Sequence, residues 1–180
     1  MEKEIRLKNG KAVLVRELRA NDDVFDLCRF INEMIESKEY LLIDTKQTPE
    51  EETTWLEAKM KNLEKGDTID WRAFLGGRCV AGVEARRGEW KRRGSVEFGL
   101  ALSEEVRGQG LGRALLKMMI AEVKKEWKPH RMYIQALGGN ARAIRLYESV
   151  GFKQIARIPD YNNHFGKYMD EVWLMLEEKK

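Results

Sequence analysis

Apolar residues recur along this chain with two periods, and the switches between them mark its elements. Residues 5–18 (IRLKNGKAVLVREL) hold two short apolar-rich runs around Asn9-Gly10. Asn-Gly is a strong hairpin signal, because both residues tolerate positive φ. The period then lengthens. Val24, Leu27, Cys28, Ile31, Met34 and Ile35 form a helical stripe, with Asn21-Asp22 ahead of it as an acidic cap. Thr48-Pro49-Glu50-Glu51 opens a second helix with proline at its first position. Leu56, Met60 and Leu63 form its stripe, Trp55 lies alongside, and Gly66 closes it.

Period two returns at residues 70–88, which read as two strands joined at Gly76-Gly77. In the next strand Val96, Phe98, Leu100 and Leu102 alternate with Ser95, Glu97, Gly99 and Ala101. Leu111, Leu115, Met118, Met119, Val123 and Trp127 then mark a helix of about four turns, stopped by Pro129. Residues 131–137 (RMYIQAL) form a short buried strand. Asn140 caps a helix carrying Ala143, Ile144 and Tyr147 on one side, and Gly151 ends it. Residues 151–158 and 168–176 read as two last strands joined by the loop PDYNNHFGK. The order is hairpin, two helices, three strands, helix, strand, helix, two strands. It predicts one mixed α/β domain over residues 1–180. The strand-helix-strand passage predicts a right-handed crossover and one parallel strand pair.

Composition narrows the classes. Charged residues make up 35% of the 180, with both signs interspersed and a formal charge of +3. Such a surface is well solvated and gives little reason to expect a polyanionic partner. The charged start MEKEIRLKNG is unlike a signal peptide, and no stretch reaches the ~20 apolar residues of a membrane span. Cys28 and Cys79 stand apart with no CxxC, and Cys28 lies on a core stripe. His130 and His164 form no ligand-spaced cluster, so no metal is expected. A cytoplasmic protein with reduced thiols is the expectation.

Three glycines, Gly108, Gly110 and Gly112, fall within five positions just where a helix begins. A strand, a glycine turn and a helix N-terminus make an anion site, because unpaired N–H groups point outward and the helix dipole favours negative charge. Arg107 and Arg113 add cations, although both also read as ordinary surface residues. A P-loop would need Lys-Ser or Lys-Thr after the last glycine, where Arg113-Ala114 stands. The dinucleotide spacing GxGxxG also fails, from Gly108 and from Gly110 alike.

What remains is Arg107-Gly108-Gln109-Gly110-Leu111-Gly112, of the form R-x-x-G-x-G. It resembles the acetyl-CoA signature of the GCN5-related N-acetyltransferases (GNAT). Residues 94–176 carry the resemblance. Residues 96–116 resemble the family's fourth strand, pyrophosphate turn and following helix. NARAIRLYESVGF resembles its next conserved stretch, through Asn140, Ala143, Tyr147, Gly151 and Phe152. GKYMDEVWLML resembles a closing strand. The first ninety residues match only in element order.

The resemblance implies a single-domain α/β fold: a mixed, mostly antiparallel twisted sheet flanked by helices, with one parallel pair splayed at the acetyl-CoA site. It implies acetyl-CoA as cosubstrate and direct transfer to a primary amine of a small molecule or of a protein or peptide N-terminus. Coenzyme contacts are implied for Leu100, Ala101 and Leu102 on the strand, and for Arg107, Gly108, Gln109, Gly110, Leu111, Gly112 and Arg113 in the turn. Further contacts are implied for Asn140, Ala143 and Tyr147. Neither nucleic acid nor membrane is expected as partner, and a homodimer stays open.

Direct transfer needs no enzyme nucleophile, so the lack of a Ser-His or Cys-His pair is no objection. Tyr147 is the expected acid for the leaving thiolate, against a core tyrosine packed beside Ala143 and Ile144. Many relatives carry a glutamate base at the position of Gln135, which cannot take a proton usefully. Glu97, among small neighbours, is the substitute base, with a solvated strand glutamate as the alternative. Asn140 reads as helix cap, pantetheine contact, or both. The acceptor is expected near the first two helices and residues 159–167, with Asp160 as an acid for an ammonium. The competing classes are a non-catalytic CoA sensor or interaction module of the same fold, and a nucleic-acid binder using Lys91-Arg92-Arg93.

Overall fold

The computed structural model describes residues 1–177. The chain opens with the hairpin β1 (Glu2–Arg6) and β2 (Ala12–Glu17), turning at Gly10 with φ 85°. Two helices follow, α1 (Val24–Glu36) and α2 (Pro49–Glu64). Asp23, not the preceding Asn21-Asp22 pair, caps α1, accepting from the Phe25 N–H. Asp22 is instead buried against Arg16. Phe30 joins the α1 stripe at 2% exposure, a core position that the sequence pattern passed over. In α2 the Thr48 hydroxyl accepts from Glu51 N–H and the Glu51 carboxylate accepts from Thr48 N–H, a capping box with Pro49 inside it.

Next come β3 (Thr68–Leu75), β4 (Arg78–Arg87) and β5 (Ser95–Leu102), then α3 (Leu111–Trp127), β6 (Arg131–Leu137) and α4 (Ala141–Ser149). The last hairpin is β7 (Phe152–His164) and β8 (Lys167–Leu176). Residues 159–164, expected in a loop, instead continue β7 as a strand, with a register shift between Ile158 and Asn162 and a tight turn at Phe165-Gly166.

The eight strands form one sheet in the order β1-β2-β3-β4-β5-β6-β8-β7. Every neighbouring pair is antiparallel except β5 and β6. That parallel pair is joined through α3, as a crossover requires. It is registered only from Ser95↔Arg131 to Phe98↔Ile134, although β5 runs on to Leu102 and β6 to Leu137. Beyond Phe98 the two strands part, and the sheet opens into a V.

The alternation in β5 separates two layers. Val96 and Phe98 join the core cluster with Leu115, Leu116 and Met119 of α3, Tyr147 of α4 and Phe152. A second cluster holds α1 and α2 against the opposite face, with Leu27, Phe30, Met34 and Leu56 packed on Cys79 and Phe74. The V therefore opens between two helical layers, with a polar strip of sheet facing α1 and α2. No described helix is long and apolar enough to cross a membrane.

Candidate active site

The glycine turn follows β5 and leads into α3 at the mouth of the V. Gly108 (φ 70°) and Gly110 (φ 89°) adopt the left-handed backbone that side chains disfavour. Gly110 is the N-cap of α3 and has no side chain to cap with. Ala114 N–H is the first to find an acceptor within the helix, the Gly110 carbonyl. The helix therefore offers none to the N–H groups of Leu111, Gly112 and Arg113. A Cβ on Gly108 or Gly110 would meet nothing within 4 Å, so the backbone is open from outside. Gly112 has a different reason to be glycine. A Cβ there would sit 3.0 Å from Leu146 and 3.5 Å from Leu100 and Leu102, so it allows α3 to close on α4 and β5.

A cleft of about 1620 Å³ runs from this turn through the V to the face beneath α1 and α2. Leu100, Ala101, Leu102, Arg107, Gly108, Gly110, Gly112, Arg113, Asn140, Ala143, Tyr147 and Glu97 all line it. Gln109 and Leu111 do not. The Gln109 side chain turns away and accepts from Asn9 N–H at 3.1 Å, tying the turn to the first hairpin. Leu111 points into the core at 1% exposure. These two can meet a ligand only through their backbone.

The arginines are less free than their sequence positions suggest. Arg107 Nε donates to the Leu102 carbonyl at 2.9 Å, and its Nη1 pairs with Glu39 at 2.5 Å. It braces the turn against the segment after α1. Arg113 Nε and Nη2 donate to Ser149 Oγ and O, each at 3.2 Å, and tie α3 to the end of α4. The Leu102 carbonyl is thus already engaged, while Leu100 pairs with Val83 and faces the V along its other edge.

Asn140 caps α4, its Oδ1 accepting from Ala143 N–H at 3.1 Å. Two turns on, Tyr147 is 5% exposed, with its ring edge-on to Phe152. Its hydroxyl has no hydrogen-bond partner among the described residues, yet the residue borders the cleft. Burial pushes the phenol up to about 12.

Glu97 lines the cleft with both carboxylate oxygens engaged. Oε1 accepts from Arg86 Nη2 at 3.0 Å and Oε2 from Tyr133 Oη at 3.3 Å. The Tyr133 ring stacks on Trp173 at 5.5 Å. Gln135 also faces the cleft, one alternation along β6 from Tyr133.

Sequence reading missed the charged group under α2. Lys59 is only 11% exposed in its side chain; it lies 3.6 Å from Asp70 and makes a close ion pair with Glu84. Arg72 Nε lies 2.9 Å from Asp70 Oδ1 without a well-aligned hydrogen bond, and its Nη2 donates to Oδ2 at 2.9 Å. The Trp55 ring has both cations over it, Lys59 at 5.3 Å and Arg72 at 5.1 Å. Burial pushes the Glu84 carboxyl up, but Lys59 and Arg86 outweigh it and hold the group low. Asp70 goes up through burial, against the pull of Arg72 and Lys59. The signal was present: Glu52, Trp55 and Lys59 share a helical face, and Asp70, Arg72 and Glu84 alternate with apolar strand residues.

Asp160 does not line the cleft; its N–H donates to Asp170 Oδ1 at 3.2 Å. The end of the β7–β8 hairpin still reaches the site. His164 stacks on Tyr40 at 5.0 Å, and Tyr40 lies against the position a Gly139 Cβ would take, at 3.0 Å. Residues 39 and 40 therefore form a strap. Glu39 fastens to the turn beside β5, and Tyr40 to the end of β6 and to β7.

Residues 32–152 match the model of the Acetyltransferase (GNAT) family. The chain belongs to the GNAT acetyltransferase family. Part of the chain is also similar to curated relatives. The L-methionine sulfoximine/L-methionine sulfone acetyltransferase of Salmonella typhimurium is 33% identical over 108 residues, 60% of this chain and 54% of that protein. The [ribosomal protein bS18]-alanine N-acetyltransferase of Escherichia coli is 40% identical over 57 residues, 32% of this chain and 38% of that protein. The chain spans about half the length, or less, of these relatives. Among solved structures, that of yncA from Salmonella typhimurium with its cofactor acetyl-CoA superposes with a TM-score of 0.78 at 22% identity, over 93% of this chain and 95% of that one. The ribosomal-protein-S5-alanine acetyltransferase of Vibrio fischeri gives 0.84 at 14% identity, over 97% and 95%. These likenesses show the GNAT fold. No group of three or more histidine, cysteine or acidic side chains placed to hold a metal lies among the described residues.

Proposed function

We propose that this protein is an acetyl-CoA-dependent N-acetyltransferase that acts on a primary amine of a small molecule or of a protein or peptide N-terminus. One observation carries the reading. A single cleft joins an open glycine turn at a helix N-terminus, a strand edge left free by the splay, and an unpartnered tyrosine hydroxyl.

The residues present fit the coenzyme. The N–H groups of Leu111, Gly112 and Arg113 and the bare backbone at Gly108 and Gly110 suit a pyrophosphate. The freed edge of β5 around Leu100 and Ala101 suits the amides of a pantetheine arm, and Asn140 Nδ2 is left over once Oδ1 has capped α4. Acetyl-CoA supplies an activated acyl group and a thiolate as leaving group. With the sheet already parted, the thioester carbonyl can meet backbone donors where β5 leaves β6.

Tyr147 holds its proton firmly. A phenol near 12 facing a thiolate near 8.5 makes complete transfer uphill, so the hydroxyl works chiefly as a hydrogen-bond donor to developing sulfur charge. Of the two roles open to Glu97, the geometry favours the structural one, since Arg86 and Tyr133 occupy both its oxygens. The amine proton then leaves to water in the open cleft. The acceptors named for the curated relatives, amino-acid derivatives and a ribosomal-protein alanine, bracket the amines to try first.

Calorimetry with acetyl-CoA and a thiol-release assay over an amine panel test the proposal. Binding with amine-dependent CoA release is expected. Tight binding with no release from any amine would make the protein a CoA sensor instead, and no binding at millimolar coenzyme would end the reading.

A further inference from the structure

The charges facing α2 pair off with one left over. Lys59 serves Asp70 and Glu84. Arg72 serves Asp70, and Arg86 serves Glu84 and Glu97. Glu52 has neither a hydrogen bond nor an ion pair among the described residues. The Arg72 charge acts on it without contact.

Glu52 is more than nine-tenths buried, at 7% exposure, but its oxygens are not sealed in. It lines the cleft beside Trp55 and Arg72. Its place in the first turn of α2 does not account for it. Glu51 already closes the capping box, and Glu50 is exposed on that same turn. Glu52 alone turns inward. A buried carboxylate that no cation among the described residues neutralises is costly unless something else completes it. Burial accordingly pushes its carboxyl up, against a weaker pull from Arg72.

We propose that Glu52 docks a cationic group of the acceptor, so that the acceptor is a net-positive amine and not a zwitterionic amino acid. The inference rests on the acetyl-transfer reading above. The charge pattern decides the class. The cluster holds four carboxylates, Glu52, Asp70, Glu84 and Glu97, against three cations, Lys59, Arg72 and Arg86. A ligand with one positive charge balances it. A zwitterion would add a carboxylate to a group whose cations are already committed. Leu27, Phe30 and Ile31 line the same cleft and suit an aliphatic body behind the ammonium. An amine without a carboxylate and a peptide N-terminus both satisfy this pattern.

The test uses leucine, leucinamide and isopentylamine, which share a side chain and differ in the charge beside the amine. Each is titrated by calorimetry into the protein, with and without CoA, at a pH where all three amines are protonated. The two cations should bind at least tenfold more tightly than leucine. Glu52→Gln, nearly the same in shape, should lower the affinity for both cations at least tenfold and leave leucine unchanged. Glu50→Gln, an exposed change on the same helical turn, should alter none of the three. Leucine binding as tightly as leucinamide overturns the proposal. So does Glu52→Gln keeping its affinity for the cations. Acetyl-CoA titrated into wild type and Glu52→Gln is read separately. If the coenzyme does not bind wild type, the acetyl-transfer reading fails, whatever the amine series shows. Unchanged coenzyme affinity in the variant shows that its fold and turn are intact.

Discussion

Tyr147 ties packing to chemistry through one hydroxyl. Its ring lies in the core beside Phe152, while its oxygen is left for the cleft. Tyr147→Phe keeps the ring and removes the donor. A ten- to thousandfold fall in turnover is expected, within the usual range for such a group, with acetyl-CoA affinity little changed. An unchanged rate where chemistry limits turnover would make Tyr147 a packing residue. The raised phenol also leaves a mark on stability. Between about pH 10 and 12 the unfolded tyrosine ionises while the folded one keeps its proton. Unfolding then releases a proton, so stability falls as pH rises through that window. Wild type should lose up to about 3 kcal/mol there that Tyr147→Phe does not lose. Parallel pH–stability curves would contradict the burial of an un-ionised phenol. Glu97 gives the opposite expectation. With both oxygens held, Glu97→Gln should leave the pH–rate profile parallel to wild type. A loss at neutral pH that vanishes toward the amine pKa would restore Glu97 as base.

The turn before α3 works as a unit because each of its glycines answers a different demand. Gly108 and Gly110 supply left-handed backbone, and Gly112 supplies closeness to Leu146. Gly110→Asp puts a carboxylate over the open N–H groups of α3. Aspartate tolerates the left-handed region at a cost of roughly 1–2 kcal/mol. The protein should fold, while acetyl-CoA binding falls below detection by calorimetry. Retained binding would move the pyrophosphate elsewhere. Around this turn the chain has added ties: Gln109 to Asn9, Arg107 to Glu39, and Arg113 to Ser149. They fix the direction in which the free N–H groups point, which a site on a loop otherwise leaves to chance.

Across the fold, the buried charges under α2 link sheet, helix and cleft. Asp70 is 1% exposed and shared by Lys59 and Arg72. Asp70→Asn leaves the buried Arg72 without its ion-pair partner, while Lys59 keeps Glu84, and a loss of about 3–5 kcal/mol is expected from urea unfolding. A loss near zero would mean that water reaches Arg72. How much of this was legible varies with the kind of interaction. Element order, the parallel pair, the turn at residues 107–113 and the cap at Asn140 rest on local pattern, and each stands where the sequence put it. The N-cap of α1 lay one residue away, because Asn21, Asp22 and Asp23 all suit the role and only the fold shows that Asp22 is claimed by Arg16. Residues 159–164 read as loop because proline, aspartate and two asparagines disfavour strand, but pairing with β8 overrides that preference across a register shift.

The sequence by itself therefore determined the elements, the family and the glycine turn at the N-terminus of α3. These follow from backbone constraint and short-range periodicity, which a single chain segment carries within itself. Tertiary structure alone decided who partners whom among the charged side chains. It gave Arg107 to Glu39 and Leu102, Arg113 to Ser149, Glu97 to Arg86 and Tyr133, and it left Glu52 without a partner among the described residues. Charged residues interspersed throughout the sequence look alike one by one. Their pairing depends on strands and helices meeting from distant parts of the chain, and on how far burial strengthens each contact.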